Sequence, residues 1–158
     1  MIIRDGRDEE AAGLAALQQR SSQIWDDQRE FVLAHPEFED EARDDLARQI
    51  PAGFVRVAEV DGEIAGFAVA IPDSDDDFIL DGLFVRPERM RQGIGAALVA
   101  DTAARLASRG VARLTVLANV NALAFYERAG FVAIEIRPTQ FLPAMWMELV
   151  IPPPSSPA

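Results

Sequence analysis

The chain has 158 residues, 49% of them hydrophobic and 26% charged, which suits one globular domain with a full core and leaves little room for a second. It contains no Cys, which excludes disulfide frameworks, Cys-ligated metals and thiol nucleophiles, and all 15 basic residues are Arg, which removes a Walker-type phosphate loop and lysine Schiff-base chemistry. With 26 acidic residues the net charge is −11, the wrong sign for nonspecific binding of nucleic acid or an anionic membrane surface, and the single His35 cannot build a multi-histidine metal centre.

In chain order, residues 1–10 alternate in charge around no apolar stretch of signal-peptide length, and no later apolar run reaches the roughly 18 residues of a spanning helix. The chain therefore reads as soluble, unexported and cytoplasmic. Ile2 and Ile3 predict a short first strand, and Asp8 an N-cap for a helix whose face carries Ala11, Leu14, Ala15 and Leu17. Further helices are expected at about 24–34 and 38–49, punctuated by Pro36 and Pro51. The period then changes to that of strands at 54–60 and 64–71, joined by an Asp61-Gly62 turn, with another strand at 78–85.

A helix opens at Gly93 and runs to about Ser108, with Ile94, Leu98, Thr102 and Leu106 on one face and Gly110 beyond its end. A strand at 113–117, a short helix at 122–129 and strands at 131–136 and 144–151 complete the order. Residues 1–151 read as one domain and 152–158, P-P-P-S-S-P-A, as a disordered tail. Hairpin strands followed by a strand–helix–strand unit predict an α/β chain with a mixed sheet and helices on both faces.

The run Arg91-Gln92-Gly93-Ile94-Gly95-Ala96 lies between a strand and a helix, so free backbone N–H groups and the positive end of the helix dipole converge there. That makes an anion site, with two glycines to let a pyrophosphate approach the main chain. A dinucleotide fingerprint would need a small residue at 98 and an acid ending the next strand. The chain has Leu98, then Leu117 and Ala118.

A second signature, Asn121-Ala122-Leu123-Ala124-Phe125-Tyr126-Glu127-Arg128-Ala129-Gly130-Phe131, follows the next strand. Together with Leu83-Phe84-Val85-Arg86-Pro87-Glu88 and the glycine turn, it resembles the GCN5-related N-acetyltransferase (GNAT) superfamily. Two motifs agree in content, order and separation, densely from about 78 to 131. One departure is Met90, where the family carries Gln or Arg. Because the turn binds through main-chain N–H groups, that loss affects a flanking contact, which Arg89, Arg91 or Gln92 would replace.

The resemblance implies a mostly antiparallel sheet of about seven strands, and acetyl-CoA as donor with no metal. It implies the pyrophosphate on the backbone of Arg91, Gln92, Gly93, Ile94, Gly95 and Ala96. The pantetheine arm would lie along the strand ending at Val85, with a main-chain N–H of Leu83, Phe84 or Val85 to the thioester oxygen. Tyr126, the only tyrosine, takes the family's place of the acid that protonates the leaving thiolate. Asn121 reads both as an N-cap of the short helix and as a pantetheine contact, and Asn119 as a similar pantetheine contact.

For the base that deprotonates the acceptor amine, Asp81 is the leading candidate, on the same strand face as Leu83 and Val85 by alternation. Asp77 and Glu135 stand in reserve. The family's acceptor pocket maps to 21–34 and 72–77, giving Trp25, Asp77 and Asp81 as substrate residues. The acidic runs 37–41 and 73–77 would draw cationic amines, or serve only as solvated surface. The expected activity is N-acetylation of a small-molecule primary amine by direct attack in a ternary complex. The alternatives are a peptide or protein N-terminal acetyltransferase and a noncatalytic CoA-binding module. The oligomeric state stays open, a homodimer included.

Overall fold

The structure, a computed structural model, describes residues 1–74, 76–140 and 142–153, and the side chains of all of these except 26 and 27. Asp75 of the second acidic run, and the tail expected to be disordered from 154 on, lie outside the described residues. Among the described residues there are seven strands and five α-helices. They are β1 (Ile2–Asp5), α1 (Ala11–Ser22), α2 (Asp26–Ala34), α3 (Glu37–Gln49), β2 (Val55–Val60), β3 (Glu63–Pro72), β4 (Asp77–Val85), α4 (Ile94–Ser108), β5 (Arg113–Asn119), α5 (Leu123–Arg128), β6 (Val132–Arg137) and β7 (Ala144–Val150). The strand order is β1-β2-β3-β4-β5-β7-β6. This is the mixed, mostly antiparallel α/β fold that the sequence led us to expect.

The chain divides into two compact units, Met1–Val69 with Gly82–Leu98, and Ala70–Asp81 with Val99–Ala158. In the first unit β1 pairs antiparallel with β2, and β2 with β3. The predicted hairpin turn forms at Asp61 and Gly62, with φ of 54° and 79°, the positive values a two-residue turn between twisted strands requires. Its core includes Val55, Val57 and Phe67, all at most 1% exposed, with Leu14 and Leu46 where α1 packs on α3. Burying each such side chain contributes about 1.5–3 kcal/mol relative to exposure.

The expected Asp8 cap is not how the first helix begins. A 3-10 turn at Asp8–Glu10 precedes α1, and the Glu10 carboxylate reaches back to accept from Arg7 N–H at 2.8 Å. An acid three residues into the turn closes on its start, so the cap comes from the far side.

In the second unit β4 pairs parallel with β5, β5 antiparallel with β7, and β7 antiparallel with β6. The face of α4 read from sequence is buried as expected, from Ile94 at its start through Leu98, Thr102 and Leu106. No helix among the described residues is long and apolar enough to cross a membrane.

Candidate active site

In the first unit the candidate residues lie at the end of β4 and in the turn into α4. Along β4, Gly82 and Phe84 share a face: a Cβ on Gly82 would lie 2.6 Å from the Phe84 ring. That ring packs on Phe67 with centroids 5.2 Å apart. Asp81, Leu83 and Val85 therefore take the opposite face, Asp81 exposed and the other two half-buried. The Phe84 side chain thus packs against Gly82 and Phe67.

After Val85 the chain makes a 3-10 turn, Pro87–Arg89, and reaches α4 through Arg91 and Gly93, both left-handed, with φ of 65° and 79°. The Gly93 carbonyl accepts the first helical bond, from Ala97 N–H at 3.0 Å. The N–H groups ahead of Ala97 then have no partner in the helix, and they sit at the positive end of its dipole. Arg91, Gln92, Gly93 and Ala96 are exposed, Gly95 is half-buried, and Ile94 turns its side chain into the core. A Cβ on Gly93 would meet nothing within 4 Å, so what requires glycine there is the backbone angle.

The turn is tied from two sides. Glu88 pairs with Arg20 at the end of α1, and Arg89 with Asp61 at 3.6 Å. Hydrogen bonds from its own N–H and from Arg20 hold the Glu88 carboxyl below the usual carboxylate range. Arg89, expected to compensate for Met90, is thus directed to Asp61, while Arg91 and Gln92 remain exposed beside the turn.

The second unit carries its own candidate, in α5. Tyr126 lies in α5, 8% exposed, edge-on to Phe125 and Phe131 with centroids 5.1 and 5.4 Å away. Among the described residues its hydroxyl has no hydrogen-bond partner, and burial pushes its pKa up to about 12. The phenol therefore keeps its proton throughout the neutral range.

The cap assigned to Asn121 belongs to Asn119. A 3-10 turn at Val120–Ala122 precedes α5, and the Asn119 Oδ1 accepts from Asn121 N–H at 2.8 Å. α5 itself starts at Ala122 without a side-chain cap. The tighter turn moves the capping position two residues earlier and leaves the Asn121 side chain exposed at the mouth of the helix.

The acidic candidates separate clearly. Asp77 gives both oxygens to Arg113, at 3.0 Å each. Glu135 is exposed on β6 and bound to Arg137 at 2.9 Å. Asp81 is exposed on β4, the last residue of its unit before the chain crosses to the other at Gly82. Trp25 is half-buried at the N-cap position of α2 and makes no side-chain cap bond, with no hydrogen bond or ring contact to the residues of the turn among those described. No group of three or more His, Asp or Glu side chains that could hold a metal ion occurs among the described residues.

One juxtaposition was not read from the sequence. A Cβ on Gly66 of β3 would lie 2.6 Å from the Phe84 carbonyl oxygen, 3.3 Å from Val85 Cα and 3.4 Å from Ile94 Cγ2. The end of β4 and the first residue of α4 thus converge on one point of β3. The available signal was an isolated glycine inside a strand pattern, which marks a bulge or a close backbone approach.

The sequence profile of the acetyltransferase (GNAT) family matches residues 10–131. The structure is similar to the PaiA N-acetyltransferase of Thermoplasma acidophilum in complex with coenzyme A, with a TM-score of 0.81 and 17% identity over 94% of this chain and 98% of that one. It is similar to an aminoglycoside 6'-N-acetyltransferase complexed with coenzyme A, with a TM-score of 0.77 and 19% identity over 99% and 100% of the two chains. It is also similar to the ribosomal-protein-S18-alanine N-acetyltransferase of Escherichia coli, with a TM-score of 0.73 and 25% identity over 95% and 93%. A search of curated protein sequences finds no match.

Proposed function

The chain belongs to the GNAT family and is an acyl-CoA-dependent N-acyltransferase, and we propose that it moves the acetyl group of acetyl-CoA to a primary amine of a small molecule by direct attack. The observation that carries this reading is the α4 N-terminus, exposed and left-handed at Arg91 and Gly93, converging with the end of β4 on Gly66. An anion seated at that helix start leaves any arm attached to it beside β4. The register of β4 with β5 covers only Asp77, Phe78 and Ile79, and β4 continues to Val85. An arm beside the last residues of β4 can add to them as a strand.

In this reading the N–H groups of Arg91, Gln92, Gly93, Ile94, Gly95 and Ala96 hold the pyrophosphate of the donor. A main-chain N–H at Leu83, Phe84 or Val85 polarises the thioester oxygen. The reaction forms a C–N bond and breaks a C–S bond; a cationic amine gives up two protons, of which one is matched by the proton taken up by sulfur and the other passes to solvent. Asp81 accepts the proton that frees the amine for attack, directly or through water, and Tyr126 supplies the one that sulfur takes up. Asn121, its side chain exposed and not engaged as a cap, is the better placed of the two asparagines for the pantetheine amides. A cationic amine suits a chain of net charge −11.

The 25% identity to a ribosomal-protein alanine acetyltransferase supports a second reading, in which the acceptor is a peptide N-terminus. A thiol-release assay with acetyl-CoA against polyamines, aminoglycosides, amino acids and short peptides separates them. We expect the highest kcat/KM on a small amine. Turnover confined to peptides selects the second reading, and CoA binding without turnover on any amine makes the chain a binding module.

A further inference from the structure

Three observations meet on residues 64–66 of β3. Ala58 stands opposite Gly66 and Glu59 opposite Ile64, so Ala65 is an extra residue, a bulge in the pairing with β2. The carbonyls of Ile64 and Ala65 both serve Arg86, the residue directly after β4. Arg86 Nε donates to Ile64 O at 3.0 Å and Arg86 N–H to Ala65 O at 2.7 Å. Next to them is Gly66, where a Cβ would stand 2.6 Å from the Phe84 carbonyl oxygen. A clash with backbone at that distance cannot be relieved by turning a side chain.

We propose that the bulge at 64–66 and the Arg86 side chain form a seat that fixes the last residues of β4, making Gly66 and Arg86 positioning residues for the acyl arm of the donor. The inference rests on the site proposed above. Neither residue needs to touch the donor. An arm that adds to β4 as a strand reads the main-chain positions of Leu83, Phe84 and Val85, and hydrogen bonds weaken steeply once distance or angle drifts. The glycine lets β4 come down onto β3, and the two bonds from Arg86 hold it there.

The test is calorimetry on the intact chain with two probes: CoA, and adenosine 3'-phosphate 5'-diphosphate, which keeps the pyrophosphate and lacks the pantetheine arm. Gly66→Ala and Arg86→Met should each weaken CoA by about tenfold or more, since displacements of about 1 Å have effects of that order. The shorter probe should stay within about threefold, and Arg86→Lys, which keeps a donor on a long stem, should recover most of the CoA affinity. If Gly66→Ala does not fold, Arg86→Met decides, because it keeps the bond to Ala65 O. A folded Arg86→Met chain with unchanged CoA affinity, or an equal loss for both probes, overturns the seat. An unmodified chain that binds no CoA overturns the reading of the site, and the seat with it.

Discussion

Asp77 and Arg113 stand opposite each other in the parallel register of β4 with β5, and they also share a two-point ion pair, Oδ1 to Nε and Oδ2 to Nη2, at 3.0 Å each. The Asp77 carbonyl meanwhile accepts from the N–H groups of Asp73 and Ser74 at 2.9 and 3.2 Å. Every strong acceptor on Asp77 is thus engaged in holding the start of β4. Asp77→Asn should leave kcat and the acceptor KM within about twofold and lower Tm slightly. A many-fold rise in acceptor KM would return Asp77 to the substrate-binding set.

Asp81 is exposed on the face of β4 that carries Leu83 and Val85. If it takes the amine proton, Asp81→Asn should lower kcat and flatten the acidic limb of the pH–rate profile, because an amide does not titrate. A raised KM with the acidic limb intact would make it an anchor for the cation instead. Wild-type kinetics across pH would remove both roles.

Tyr126→Phe keeps the ring between Phe125 and Phe131 and removes only the hydroxyl. Turnover should fall by about 10² or more with CoA affinity nearly unchanged. Full activity at saturating substrates would leave the ring a packing role alone.

The raised phenol pKa gives a separate stability signature. Unfolded, the phenol ionises near 10, and folded near 12. The unfolded chain therefore loses its proton first, and stability should fall as pH rises from about 10 to about 12. Denaturant titrations in that window should show a shallower fall for Tyr126→Phe. A wild-type slope in the variant would assign the decline to other groups.

Gly95 stands in the first turn of α4, where the helix N–H groups are free. Gly95→Val should weaken CoA binding at least tenfold, about 1.4 kcal/mol, in a chain that still folds. Unchanged affinity by calorimetry would remove the anion site from this turn.

Glu10 is held below the usual carboxylate range, first by hydrogen bonds from Arg4, whose Nη1 and Nη2 lie 2.9 and 2.7 Å from its two oxygens. A carboxylate lowered in the folded state contributes stability above its unfolded pKa of about 4.5, and loses it as pH falls through the lower folded value. Glu10→Gln should therefore lower Tm at pH 7, with the difference from wild type shrinking below about pH 4.5. A constant difference from pH 7 to 3 would show that the ionised pair is not its source.

Much of the site is local in sequence and was legible there. The turn from β4 into α4 depends on residues that are neighbours in the chain, and so does the position of Tyr126 in the short helix before Gly130. Alternation alone put Asp81, Leu83 and Val85 on one strand face, because the side-chain period of a strand is two. The buried stripe Ile94, Leu98, Thr102 and Leu106 follows from the period of a helix in the same way.

Other features were decided by contacts between residues far apart in the chain, which no local pattern encodes. The sequence offered Asp81 as the leading acid of the strand and Asp77 as a reserve, with nothing to show that Arg113, 36 residues from Asp77, takes both oxygens of that carboxylate. The sequence put the cap at Asn121, and a 3-10 turn in place of a further α turn moved it to Asn119. The chain determined by itself which residue types stand at the strand-to-helix turn. Only the folded backbone set Gly66 against the Phe84 carbonyl and raised the Tyr126 phenol, since close approach and desolvation arise when distant segments exclude water together.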